Sequence, residues 1–393
     1  AVNNVELFST GDSQGFIGIL NSFSGDALRQ YSIVALGISP YITSSIIVEL
    51  LEMDIIPVLA EWKNEGEEGR KKLSQLTRYL AIVIALIQAV AMTFALSSTI
   101  FQYGRTSFLG LMAVSITLTA GSALCIWIAD LITQFGVGNG TSLLITIGIV
   151  ISFPNSVQAL IQDITGESVA WHKYLSAGLS ILLFFVILIG IVFMESSQRN
   201  VQIQYANRPS AYKFQGTNES TFPIKLNSAS VIPVIFAATL MGIPLTIISY
   251  TSLASTNAIA YSWLYEIFSS SEIIGYVIYV LLIFFFAIFY TFLQINPEKT
   301  CEDLQKRGAY VPGYRPGYET EQYLTKIIFN TTLFGALYLV VVASLPTLAT
   351  MLGASSAIEI GGTSIMIVVG VAIETWRQIS TDVQDQKYAG FLN

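Results

Sequence analysis

Gly37-Ile38-Ser39-Pro40-Tyr41-Ile42-Thr43-Ser44-Ser45-Ile46-Ile47-Val48-Glu49-Leu50-Leu51 is the stretch on which the fold turns. It is mostly apolar, yet its roughly 14 residues from Ile38 reach only about 21 Å as a helix at 1.5 Å per residue, short of a hydrocarbon layer of about 30 Å. It reads as a half-helix. The residues before it, from Gly15 to Leu36, are mildly apolar but broken by Ser24-Gly25-Asp26 and carry Arg29, so they suit the edge of an aqueous space better than lipid. Backbone that stops short at membrane depth is tolerated only inside protein or along a water-filled cavity. Residues 15–53 therefore point to a pathway.

The rest of the chain is built to surround such a pathway. Of its 393 residues 53% are hydrophobic and only 11% charged, against about a quarter charged in soluble domains. Apolar stretches long enough to cross a bilayer fall at roughly 76–103, 107–133, 141–164, 174–195, 229–253, 271–295, 323–351 and 362–380. This is an all-α, polytopic transmembrane helical bundle, which excludes disordered, collagen-like, disulfide-rich secreted and ordinary cytosolic classes. Counting 38–53 as the first crossing, all but three of the 19 Lys and Arg residues lie on one side, the exceptions being Arg29, Arg105 and Lys173. The positive-inside rule makes that side cytosolic. Residues 1–37 are then external, and a cytosolic start would need one more span upstream, so a first helix is expected to be missing from the chain as given.

Little material for catalysis is present. Cys125 and Cys301 supply neither a disulfide framework nor a zinc cluster, and His172 is the single histidine. The net charge of −7 gives nucleic-acid binding no support. Ionisable groups at mid-membrane mark pumps and coupled transporters, but Glu49, Glu52, Asp130, Glu195 and Glu374 fall near cytosolic span ends, and Asp163, Glu266 and Glu272 near external ends. The interior carries isoleucine at helical spacing instead: Ile38 and Ile42, Ile145 and Ile149. Such side chains converging on a narrow passage would exclude water and ions by dewetting, although isoleucine is also ordinary lipid-facing filler. Ile38-Ser39-Pro40 has an echo in Ile232-Pro233-Val234-Ile235, five crossings later, as expected of two inverted halves. Gly136-Val137-Gly138-Asn139-Gly140 reads as a turn before the span at 141–164. Val311-Pro312-Gly313-Tyr314-Arg315-Pro316-Gly317 reads as a rigid loop tip suited to docking.

With the half-helix, the Glu67-Glu68-Gly69-Arg70-Lys71-Lys72 loop, Val231-Ile232-Pro233, Gln294-Ile295-Asn296-Pro297-Glu298 and residues 310–317, the chain resembles the SecY family of protein-translocase channel subunits, in order from about residue 15 to the C-terminus. The resemblance implies two inverted, pseudo-symmetric halves around a central pore: an external segment with a plug over 1–37 (the plug itself near 24–36), an N-terminal half over 38–195, a cytosolic loop over 196–228, and a C-terminal half over 229–393 with a cytosolic loop at 296–322. It implies a pore ring of Ile38, Ile42, Ile145, Ile149, Ile235 and Ile367. A lateral gate would lie between the segments at 38–53 and 76–103 and the spans at 229–253 and 271–295, with Thr43 and Gln88 polar on its seam. The two cytosolic loops would dock the ribosome and the ATPase motor SecA through Arg208, Lys213, Tyr314 and Arg315. SecE and SecG subunits, signal sequences, nascent chains and the lipid bilayer complete the implied partners, with no cofactor. The acidic balance and the few basic residues of 196–228, Arg199, Arg208, Lys213 and Lys225, depart from the basic family pattern and leave open an accessory paralogue. The expectation is a non-enzymatic channel in the bacterial cytoplasmic membrane that passes unfolded polypeptides across or sideways into the bilayer. The alternative is a secondary transporter for a small solute.

Overall fold

A computed structural model of the chain describes residues 24–25, 27–28, 31–52, 56–95, 108–165, 171–205, 220–250, 258–269, 272–351 and 361–390. The stretch at 37–51 forms helix α1, Ser39–Leu51. Gly37 turns the chain into it at φ +52°, a left-handed conformation that a residue without Cβ adopts freely. Pro40 sits in the first turn, where its missing N–H costs no helical hydrogen bond. Thirteen residues end at Glu52, so α1 is about 20 Å long and a half-helix in fact.

The chain then reverses through α2 (Pro57–Asn64) into α3 (Glu67–Ala95). Lys63 of α2 pairs with Glu52 at 3.2 Å, and Gly69 of α3 sits where any Cβ would strike the Trp62 carbonyl, so only glycine permits this close return. The remaining helices are α4 (Phe108–Phe135), α5 (Gly140–Thr165), α6 (Trp171–Ser196), α7 (Ile232–Tyr250), α8 (Ala258–Phe268), α9 (Ile273–Gln294), α10 (Pro297–Lys306), α11 (Tyr318–Met351) and α12 (Gly361–Gly390). Among the described residues four stretches are long and apolar enough to cross a membrane: Glu67–Phe94, Phe108–Phe135, one within Trp263–Lys306, and Tyr318–Leu345. Ser39–Leu51, Gly140–Asn155, Ile181–Ser196 and Ile232–Gly242 are shorter apolar helices, the last three being parts of α5, α6 and α7.

Where lipid is as apolar as the interior, helices associate through close contact, and small residues mark the packed faces. On α3 the row Ala81, Ala85, Ala89 is fully buried, while Val83, Leu86 and Ile87 face outward. On α6 Ile187 and Ile191 point in, and Leu182, Phe185, Val186, Ile189 and Phe193 point out. Helix α3 lies against α1 and α4; α9 lies against α7 and α11; α12 lies against α5, α6 and α11. Their inner faces meet in one continuous apolar cluster that draws on α1, α5, α6, α7, α9, α11 and α12.

Three features differ from the expectations above. The helix expected from 76 begins at Glu67, because its first turns carry polar residues that hydropathy does not register and helical geometry tolerates, with Glu67 and Glu68 placed favourably at the N-terminus. Residues 258–268, expected as an external connection, form α8 against α7 and α9. The two connections expected as cytosolic loops contain strands among their described residues: β1 (Gln198–Tyr205) pairs antiparallel with β2 (Ser220–Lys225) and with β3 (Ala309–Tyr310), giving a sheet in the order β2-β1-β3. Helix α10 is capped by the Asn296 side-chain Oδ1, which accepts from the Glu298 and Lys299 amides at 3.0 and 3.3 Å.

Candidate functional site

The six isoleucines singled out in the sequence come from four separate elements: Ile38 and Ile42 at the start of α1, Ile145 and Ile149 on α5, Ile235 on α7 and Ile367 on α12. Ile38, Ile145, Ile149 and Ile367 are buried, Ile42 and Ile235 are half-buried, and all six belong to the central apolar cluster. Aliphatic groups offer an ion no replacement for its hydration shell, so a passage closed by them stays dry.

The segment before α1 packs as a separate body. Its described residues between 24 and 37 run through successive tight turns, with Ala27 N–H donating to Ser24, Ala35 N–H to Ser32 and Gly37 N–H to Val34. Leu28, Tyr31, Ala35 and Leu36 form a cluster with Ala89 and Met92 of α3 and Leu118 of α4, apart from the central one. Three contacts fix it. The Thr93 hydroxyl donates to the Ala89 carbonyl at 2.7 Å, so the Tyr31 phenol, 2.9 Å away, is the donor to Thr93. The Ser122 hydroxyl donates to the Gly37 carbonyl at 2.9 Å. The Ile33 carbonyl lies in a notch at Gly121, where any added Cβ would strike that oxygen.

Thr43 is buried and donates to Ser39 of its own helix at 3.2 Å, while Gln88 is half-buried on α3. Helix α3 packs along α1 and also meets α7. A narrow cleft is lined by Glu49 and Leu50 of α1, Pro233 and Phe236 of α7, and Phe286, Phe289, Tyr290 and Leu293 of α9. Phe236 is zipped to α9 through Phe286 and Tyr290, at ring separations of 5.4 and 6.1 Å.

At the end of the bundle that carries the sheet, charge is paired. Arg78 and Asp130 meet at 2.9 Å, tying α3 to α4. The sheet joins the two loops: Val201, Ile203 and Ile224 are buried beside Ile327 and Ile328 of α11 and beside Ala309 and Val311, and the Tyr310 phenol donates to Gln204 at 3.1 Å. From this platform the tip at 311–317 projects. Gly313 and Gly317 take φ +89° and +109°, Tyr314 stacks on Tyr323 at 4.1 Å, and Thr320 donates to the Arg315 carbonyl at 2.8 Å. Arg315 is exposed, and its guanidinium makes no ion pair among the described residues. Arg208 and Lys213 lie outside the described residues. Sequence reasoning passed over the Gly121 notch, and over Asn227, which is 4% exposed and bonded to Glu195.

A polytopic helical bundle whose described interior is a continuous aliphatic cluster has the make-up of a membrane channel. Residues 32–376 match the SecY family. The chain is 42% identical to protein translocase subunit SecY of Staphylococcus epidermidis over 391 residues, covering 96% of this chain and 88% of that protein. It is 41% identical to the Staphylococcus aureus subunit over 400 residues, with 99% and 90% covered. Among solved structures it resembles a protein-conducting channel with TM-score 0.63 at 18% identity, covering 96% and 88% of the two chains. It resembles the idle yeast Ssh1 complex bound to the 80S ribosome with TM-score 0.62 at 15% identity, covering 92% and 82%. The chain belongs to the SecY family: it is a non-enzymatic, protein-conducting channel subunit that crosses the bacterial cytoplasmic membrane several times. Nothing in these comparisons supports a secondary transporter for a small solute.

Proposed function

We propose that the six isoleucines form the constriction through which an unfolded chain is threaded, and that residues 24–36 are the plug beside it. The observation that carries this reading is the convergence of Ile38, Ile42, Ile145, Ile149, Ile235 and Ile367, from four elements, in one apolar cluster. A related SecY has a plug domain described as stabilising the closed state and maintaining a membrane seal, at TM-score 0.61 and 18% identity. The lateral gate lies along the seam of α1 and α3 against α7 and α9, with Thr43 and Gln88 on its walls and the Glu49–Phe236–Tyr290 cleft at its cytosolic end. About ten leucine-like residues at roughly −0.5 kcal/mol each give a signal sequence on the order of 5 kcal/mol for entering lipid, enough to part a seam of comparable strength. The two inverted halves meet around this axis.

Partners follow the same reading: SecE and SecG within the membrane, and SecA or the ribosome on the cytosolic platform. The Ssh1 and canine Sec61 relatives are described in complexes with ribosomes. Crosslinking of a stalled secretory chain tests the constriction. With Ile42→Cys, Ile149→Cys or Ile235→Cys, adducts should form with the translocating segment, whereas adducts confined to lipid-facing positions such as Phe185→Cys would overturn the assignment.

Arg315, exposed and without an ion pair among the described residues, is the proposed motor contact. Arg315→Glu should lower SecA-driven transport about tenfold or more, since reversing a charge at a hydrogen-bonded interface costs about 2–5 kcal/mol, while the membrane-inserted complex assembles normally. Unaltered ATP-dependent transport by this variant would remove Arg315 from the docking surface.

A further inference from the structure

Between strand β2 and helix α7 lies a turn with no slack. Leu226 N–H continues the hairpin by donating to Ser197 at 3.2 Å, and its carbonyl abuts Gly335 of α11, where a Cβ would stand 2.7 Å away. Ser230 takes φ +52° without being glycine, and Ser230 and Val231 rest on Gly370 of α12, where an added Cβ would meet their side chains at 3.8 and 3.6 Å. At the centre is Asn227. Its side-chain amide donates one proton to the Glu195 carboxylate at 2.8 Å, at the end of α6, and the other to the Ser230 carbonyl at 3.3 Å. Both Glu195 and Asn227 are more than nine-tenths buried. Arg377 of α12 reaches the Glu195 main-chain carbonyl at 3.5 Å.

We propose that Asn227 is a positioning residue that carries displacement of the cytosolic hairpin into α7, and so into Ile235 and the gate seam. A turn braced against three helices transmits motion instead of absorbing it. Only six residues separate the end of β2 at Lys225 from the start of α7 at Ile232, and Val234, Phe236 and Ala237 follow at once into the central cluster. The buried amide–carboxylate bond locks the turn to α6. Losing it leaves a buried acceptor unmatched, which loosens the turn without touching the platform or the constriction.

The inference rests on the channel reading and on motor docking at the platform. The test reconstitutes the full complex in vesicles with SecA and ATP. It follows translocation, SecA affinity, and disulfide formation between Leu50→Cys and Phe236→Cys, which line the same cleft, in a background with Cys125 and Cys301 replaced by serine. With the wild-type joint, SecA should change the disulfide yield. With Asn227→Asp, which faces Glu195 with a second carboxylate, SecA should bind within about twofold but no longer alter the yield, and transport should fall roughly tenfold, the equivalent of a hydrogen-bond-sized loss. The reciprocal pair Glu195→Gln with Asn227→Asp restores a donor and an acceptor at the same separation, and should recover transport in part. Transport and disulfide response by Asn227→Asp equal to wild type would overturn the proposal, as would a reciprocal pair no better than the single variant. A wild-type complex that fails to translocate would instead count against the channel reading itself.

Discussion

Replacing Gly121 by alanine is expected to leave the channel permanently leaky. The new methyl carbon would clash with the Ile33 carbonyl oxygen; that oxygen is main chain and a Cβ is fixed to its helix, so neither can rotate away. Overpacking of this kind costs about 1–3 kcal/mol. Lifting residues 31–37 off α4 also endangers the Tyr31–Thr93 and Ser122–Gly37 bonds, each worth about 1 kcal/mol and more if a buried acceptor is left bare. Together these destabilise the seated state relative to the unseated one by about 2–5 kcal/mol, a population shift of some 30-fold or more toward the unseated state. Ion conductance of vesicles without any translocating chain measures it directly. Ser122→Ala should give a smaller leak of the same kind, because it removes one bond and no space. Gly178→Ala and Gly190→Ala on α6, where an added Cβ meets nothing within 4 Å, should leave conductance at the wild-type level. A tight Gly121→Ala channel would show that the seat of residues 24–37 does not govern the seal.

Asparagine at Ile42 or Ile235 should act on the other barrier. Each side chain is half-buried in the central cluster, and a carboxamide placed there without partners costs the closed state about 1–3 kcal/mol. It also offers water the hydrogen bonds that isoleucine withholds, which weakens dewetting. The expected result is export of proteins with defective signal sequences, at roughly 10- to 100-fold above the wild-type channel. The stringency of signal recognition, read as the ratio of export with intact and defective signals, separates this effect from simple loss of stability. Unchanged stringency in both variants would take Ile42 and Ile235 out of the constriction.

How far the sequence carries the fold depends on how local each cause is. The half-helix at 39–51 is legible because its length, its proline and its apolar run are all in one stretch. The long helices are legible for the same reason, apart from polar starts such as Glu67 to Arg78, where continuation of a helix leaves no trace in hydropathy. Strand β1 carries a readable alternation, with Val201 and Ile203 buried and Gln202 exposed, but its pairing with Ala309–Tyr310 joins positions a hundred residues apart and has no local signature. Gly121 is one glycine among many in an apolar helix until Ile33 is laid across it. Asn227 looks solvated in a polar loop, and only the packing of α6, α11 and α12 around it reveals burial. The six isoleucines were distinguished by family resemblance, since an aliphatic side chain turned inward is spelled the same way as one turned to lipid.

The pairing of β3 with β1 has a mechanical corollary. Because the sheet grips the chain at Tyr205 and again at Ala309, helices α7, α8, α9 and α10 hang between two points on one rigid bracket, like a handle on its mounts. The points at which this section leaves and rejoins the sheet are therefore held at a constant separation. The sheet thus sets the spacing of these helices at one end of the bundle, and any spreading among them is greatest at the end away from it.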